Sequence, residues 1–96
     1  MSGPVFDAVR GPAGYDNVVV DAGAVALPIP VVTPPPAAVL LMSRGGNSFW
    51  RDDGVDPTTT DGFPLLADST FYYVGNLSNM KVIGEAGAVL HCSFYY

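Results

Sequence analysis

The sequence predicts an all-β domain: a small antiparallel β-sandwich or barrel of short strands, preceded by an extended N-terminal arm. Three observations lead there. Short β-branched and aromatic runs recur along the chain, as strands require. Clusters of Gly, Pro, Asn and Asp separate them at close intervals. No window of about twelve residues free of Gly and Pro carries apolar side chains at i, i+3, i+4 and i+7, so helix is excluded beyond one turn after Asn76.

Residues 1–17 read as the arm. Gly3, Pro4, Gly11, Pro12 and Gly14 break regular structure there, leaving Val5, Phe6 and Tyr15 as the larger apolar groups. The arm should add little to the core, and Val5 and Phe6 should anchor it on a neighbouring subunit. Residues 18–96 form the single β domain. Its first strand is residues 18–20. Residues 24–27 and 29–33 follow, and Pro28 and Pro30 make them an edge strand or an unpaired extended segment. Pro34, Pro35 and Pro36 form a stiff spacer. Residues 37–42 are continuously apolar and end in the turn Ser43-Arg44-Gly45-Gly46-Asn47-Ser48. Phe49-Trp50-Arg51 starts the next strand, and Asp52-Asp53-Gly54-Val55-Asp56-Pro57 turns it, with Gly54 at positive φ. Residues 65–66, 70–74, 80–83 and 88–96 complete the series. Alternation is clearest in the last: Leu90, Cys92, Phe94 and Tyr96 share one face, and Val89, His91, Ser93 and Tyr95 the other.

A chain of 96 residues is one domain with a modest core. It is 49% hydrophobic, which excludes intrinsic disorder. Prolines break the longest apolar stretches well short of about 18 residues, so no membrane span is expected. No basic segment followed by an apolar one opens the chain, so no secretory signal is expected. The net charge is −5, with Arg10, Arg44, Arg51 and Lys81 scattered, which argues against nucleic acid as a partner. Only 14% of residues are charged, against about 25% in typical domains. A small domain with so few charges must lay apolar surface against another protein. Assembly, with self-association, is therefore the expected role.

Catalytic chemistry has little to work with. His91 and Cys92 are adjacent on a strand, so they point to opposite faces and cannot form a base–nucleophile pair. No G-x-S-x-G motif supports a serine nucleophile. Cys92 reads as a small buried apolar residue. The acids at Asp52, Asp53 and Asp56 do not follow EF-hand spacing; turn capping is their simpler role, with a loop calcium site of another kind as the alternative. Arg44-Gly45-Gly46-Asn47 lacks the Lys-Ser ending of a phosphate loop. No enzyme activity, cofactor or metal is expected. The aromatics Phe49, Trp50, Phe71, Tyr72, Tyr73, Phe94, Tyr95 and Tyr96 serve packing and, in part, contact with a partner. The candidate interface residues are Val5, Phe6, Trp50, Val89, His91 and Tyr95.

The run from Phe49-Trp50-Arg51-Asp52-Asp53-Gly54 through Pro57-Thr58 to Gly62-Phe63-Pro64-Leu65, and the ending from Asn76-Leu77-Ser78-Asn79 to Gly84, resemble small β-structured virion proteins of tailed bacteriophages. The resemblance covers roughly residues 38–96 and brings no catalytic residues. It implies a capsid decoration (cement) protein made in the host cytoplasm. Such a protein would sit on the outer capsid surface, bound to the major capsid protein; the low charge content and the three-fold sites of icosahedral shells make a homotrimer the expected association there. The alternative is a head-fibre, tail-associated or receptor-binding module contacting host glycan.

Overall fold

The computed structural model describes residues 11–96. Val5 and Phe6 lie outside those residues. Eight strands form: β1 (Pro12–Val19), β2 (Val25–Ala26), β3 (Ala38–Arg44), β4 (Ser48–Arg51), β5 (Phe63–Leu65), β6 (Thr70–Val74), β7 (Lys81–Gly84) and β8 (Val89–Tyr95). The one turn anticipated after Asn76 is a 3-10 turn over Leu77–Asn79. Gly54 has φ +81° with open space where a Cβ would sit, so its turn needs glycine for backbone conformation and not for room.

The strands form two antiparallel four-stranded sheets. Sheet A has the order β1-β8-β3-β6, and sheet B the order β2-β7-β4-β5. Strands 1 and 8, 2 and 7, 3 and 6, and 4 and 5 are all neighbours. The chain is thus one long hairpin, with β4 and β5 at its tip, rolled into two layers. This is the jelly-roll connectivity, an eight-stranded double sheet. The expected sandwich or barrel is resolved as a sandwich.

Alternation decides which residues fill it. Leu90, Cys92 and Phe94 of β8 and Val39 and Leu41 of β3 are fully buried between the layers. Val82, Met80, Leu65, Leu77 and Val20 meet them from the other side. Trp50 of β4 stacks on Phe71 of β6 at 5.0 Å between ring centres, tying sheet B to sheet A. Ser43 and Ser48 are the buried polar side chains. Their hydroxyls bond each other, and Ser43 Oγ also donates to the Gly46 carbonyl, so the β3–β4 turn leaves both satisfied.

Within the expected arm, the described residues from Pro12 onward form a strand rather than an unpaired segment. Pro12–Val19 is a strand paired with β8 from Pro12↔Tyr95 to Val19↔Val89, and Ala13 and Val18 pack on the core. Pro12 is tolerated at the first position of an edge strand, and Gly14 sits where the register shifts. Residues that locally read as breakers are here the devices of an edge. Conversely, residues 29–33 make no strand, which agrees with the effect of Pro28 and Pro30 on pairing.

Candidate interaction face

The outward side of sheet A is built by the residues that alternate with the core. Cross-strand register places Tyr15, Asn17 and Val19 of β1 beside Ser93, His91 and Val89 of β8. Leu40 and Met42 of β3 stand beside the same Ser93 and His91, with Arg44 beside Val89. Tyr72 and Thr70 of β6 stand beside Leu40 and Met42. Val89, His91 and Tyr95 are therefore on one outward face, half-exposed, as the alternation of β8 predicts.

The centre of this face is a depression of about 280 Å³ floored by Leu40, Met42, Thr70 and Ser93, with Tyr15 and His91 along one side. The Tyr15 hydroxyl lies 2.6 Å from His91 Nδ1, the donor being set by which ring nitrogen is protonated. Ser93 Oγ donates to the Tyr95 hydroxyl at 3.2 Å, and the Tyr95 ring lies 6.3 Å from that of Tyr72. These bonds fix the aromatic side chains in place, lowering the entropy lost if a partner packs on them. The one permanent charge is Arg44 at an end, 3.6 Å from Asp68. The eight acids among the described residues lie in turns and loops, except Asp16, whose register partner is the inward-facing Cys92.

Those acids have structural work in the loops. The Asp21 carboxylate accepts from the Gly87 backbone N–H, and Glu85 from that of Asn47. The β4–β5 loop at the hairpin tip carries Asp52, Asp53, Asp56 and Asp61. Arg51 binds both Asp53 and Asp61, and Lys81 lies 3.7 Å from Asp56. The guanidinium's hydrogen bonds hold the Asp53 carboxyl below its ordinary range. Asp53 also accepts from the Val55 backbone N–H, the turn-capping role expected of it. Asp52 accepts from the Tyr73 hydroxyl at 2.8 Å, a bond that raises the Tyr73 pKa. Among the described residues no three His, Cys, Asp or Glu side chains are grouped as metal ligands.

Trp50 does not lie on the sheet A face. It sits half-buried at the rim, between Phe71 and an exposed Phe63, 5.1 Å away. Phe63 borders a second depression of about 370 Å³ shared with Arg51, Asp52, Asp53, Asp61 and Gly62. Cys92 and His91 point to opposite sides of β8, and burial pushes the thiol up to about 12, far from a reactive thiolate. Sequence reasoning missed Tyr15, Leu40, Met42 and Tyr72 as companions of His91. They come from three different strands, and only the strand order brings them together. No family model, curated protein or solved structure matches the chain.

Proposed function

We propose that the protein is a non-enzymatic bacteriophage capsid decoration (cement) protein that binds the outer surface of the major capsid shell through the outward face of sheet A. The observation that carries this reading is an almost uncharged, aromatic-lined sheet face on a chain of net charge −5. Burying apolar area there contributes roughly 25 cal/mol per Å² before the cost of association. The acids stand in loops, where they keep the unbound protein soluble. The resemblance of residues 38–96 to phage virion proteins supplies the partner: the major capsid protein, across whose subunit junctions copies would resist the pressure of packed DNA. Three-fold and quasi-three-fold positions of the shell are where clusters of copies fit its symmetry.

The test is binding to shells stripped of decoration protein. Leu40→Glu, at the middle of the face, should fold with unchanged circular dichroism yet lower occupancy at least tenfold. Wild-type protein that leaves stripped shells bare overturns the function. Full occupancy by Leu40→Glu overturns the face. A second reading rests on the exposed Phe63 ring beside the polar Arg51, Asp52, Asp53 and Asp61 groups, a combination suited to stacking and hydrogen bonding with a sugar. It corresponds to a head-fibre, tail-associated or receptor-binding module. Copy number per virion separates the two: hundreds for a cement protein, a few symmetric copies for a fibre or tail part.

A further inference from the structure

The four edges of the sandwich are not alike. An open edge presents unpaired backbone groups to any other strand, and proteins blunt such edges with proline, charge, bulges or brevity. β1 carries Pro12, a register shift at Gly14 and Asp16. β2 is two residues long and is followed by Pro28 and Pro30. β5 is three residues long and contains Pro64. β6 has none of these devices. Thr70-Phe71-Tyr72-Tyr73-Val74 is regular, without charge, proline or glycine, and made of strong strand formers. It ends sheet A, and among the described residues the backbone of Phe71–Tyr73 bonds to no strand but β3. Tyr72 is 54% and Val74 64% exposed.

We infer that the outer edge of β6 is the docking strand for β6 of a second copy, paired antiparallel about a two-fold axis through Tyr72. The sequence of β6 is self-complementary in that register. Tyr72 meets Tyr72, Phe71 meets Tyr73, and Thr70 meets Val74, so aromatic and β-branched side chains oppose one another across the axis. No charge opposes a like charge on the edge, although each chain carries −5. The two A sheets become one sheet of eight strands, and their outward faces become one surface of twice the area. A five-residue strand is about 17 Å long, so the interface falls in the small, transient class. The isolated protein therefore makes reversible pairs, a two-fold arrangement distinct from the three-fold clustering expected on a shell.

Sedimentation equilibrium of the full chain tests this without any capsid. Over roughly 1 μM to 1 mM, the range in which so small an interface dissociates, the weight-average mass should rise from 10.0 kDa toward twice that value. Tyr72→Lys and Tyr72→Glu should each stay at the mass of one chain, because like charges then meet at the axis. An equimolar mixture of the two should recover pairing. Leu40→Glu, one strand in from the edge, should sediment as wild type, which separates this result from the shell-binding test. If a Tyr72 variant loses its circular dichroism, the double variants Thr70→Lys/Val74→Lys and Thr70→Glu/Val74→Glu replace the pair, because position 70 meets position 74 across the axis. A monomeric wild type, a trimer indifferent to the substitutions, or a mixture that stays monomeric overturns the inference.

Discussion

The outward faces of the two sheets solve different problems. On sheet B, Arg51 and Lys81 stand outward among Phe49 and Ile83, and both cations are tied to acids of the hairpin-tip loop. On sheet A, the outward side chains of β8, β3 and β6 are aliphatic, aromatic or small and polar until Arg44 at the end. The difference does not come from strand propensity, since both sheets use the same residue types inside. It comes from where the loops carry their acids. Charge at the tip covers one layer and leaves the other nearly uncharged.

The comparison is broken most severely by removing an edge of sheet A. Deleting residues 1–16 takes most of β1 with it and leaves β8 unpaired along one side. The truncated chain should lose its cooperative thermal transition altogether. A normal transition would show that the sheet B half and β3-β6-β8 suffice for the fold.

Next in size are the aromatic anchors. Phe94, fully buried in sheet A, should cost about 3–5 kcal/mol on Phe94→Ala. Trp50→Ala should cost less, about 2–3 kcal/mol, because its ring is partly exposed at the rim and its neighbour Phe63 is open to solvent. Urea unfolding of both variants ranks them. The reverse order would place the structural centre of the molecule at the β4–β6 contact.

The smallest effect is alkaline. The Cys92 thiol sits near 12 in the folded chain against an ordinary value of 9.0. The native state therefore holds this proton more tightly. That stability is complete below pH 9 and is lost as pH rises toward 12, by up to about 1.4 kcal/mol per pH unit. Between pH 8 and pH 10 the wild type should lose about 1 kcal/mol more than Cys92→Ala, read from paired urea midpoints. The raised Tyr73 phenol acts with the same sign at higher pH, so the difference between the two proteins isolates the thiol. Equal losses would mean that the thiol is solvated in the native state.

Local pattern carried much of this fold. The run at Thr70–Val74 and the alternation of Val89–Tyr95 could be read directly, because each is a strand whose period is undisturbed. β1 could not, because Pro12 and Gly14 are breakers in a local reading and edge devices once β8 lies beside them. The half of the face on β8 was legible for the same reason that β8 was. Leu40, Met42 and Tyr72 were not, since a continuously apolar β3 does not reveal which of its sides faces out until β6 and β8 flank it.

The rolled hairpin also fixes when the protein can exist during its own synthesis. β8 is made after the other seven described strands, yet it lies between β1 and β3 in sheet A. Until it leaves the ribosome, the first strand has no partner and Leu41 and Val39 have nothing to pack on from that side. Sheet A therefore closes only after β8 is made and, with its ladders joining distant parts of the chain, slowly, on the millisecond-to-second scale of non-local β topologies. A chain cut short before Leu90 carries every other strand, yet leaves β1 unpaired and β3 paired only with β6. Chains that stop before β8 would expose β3 and β6 together, the kind of unpaired strand edge that makes incomplete β proteins prone to aggregate.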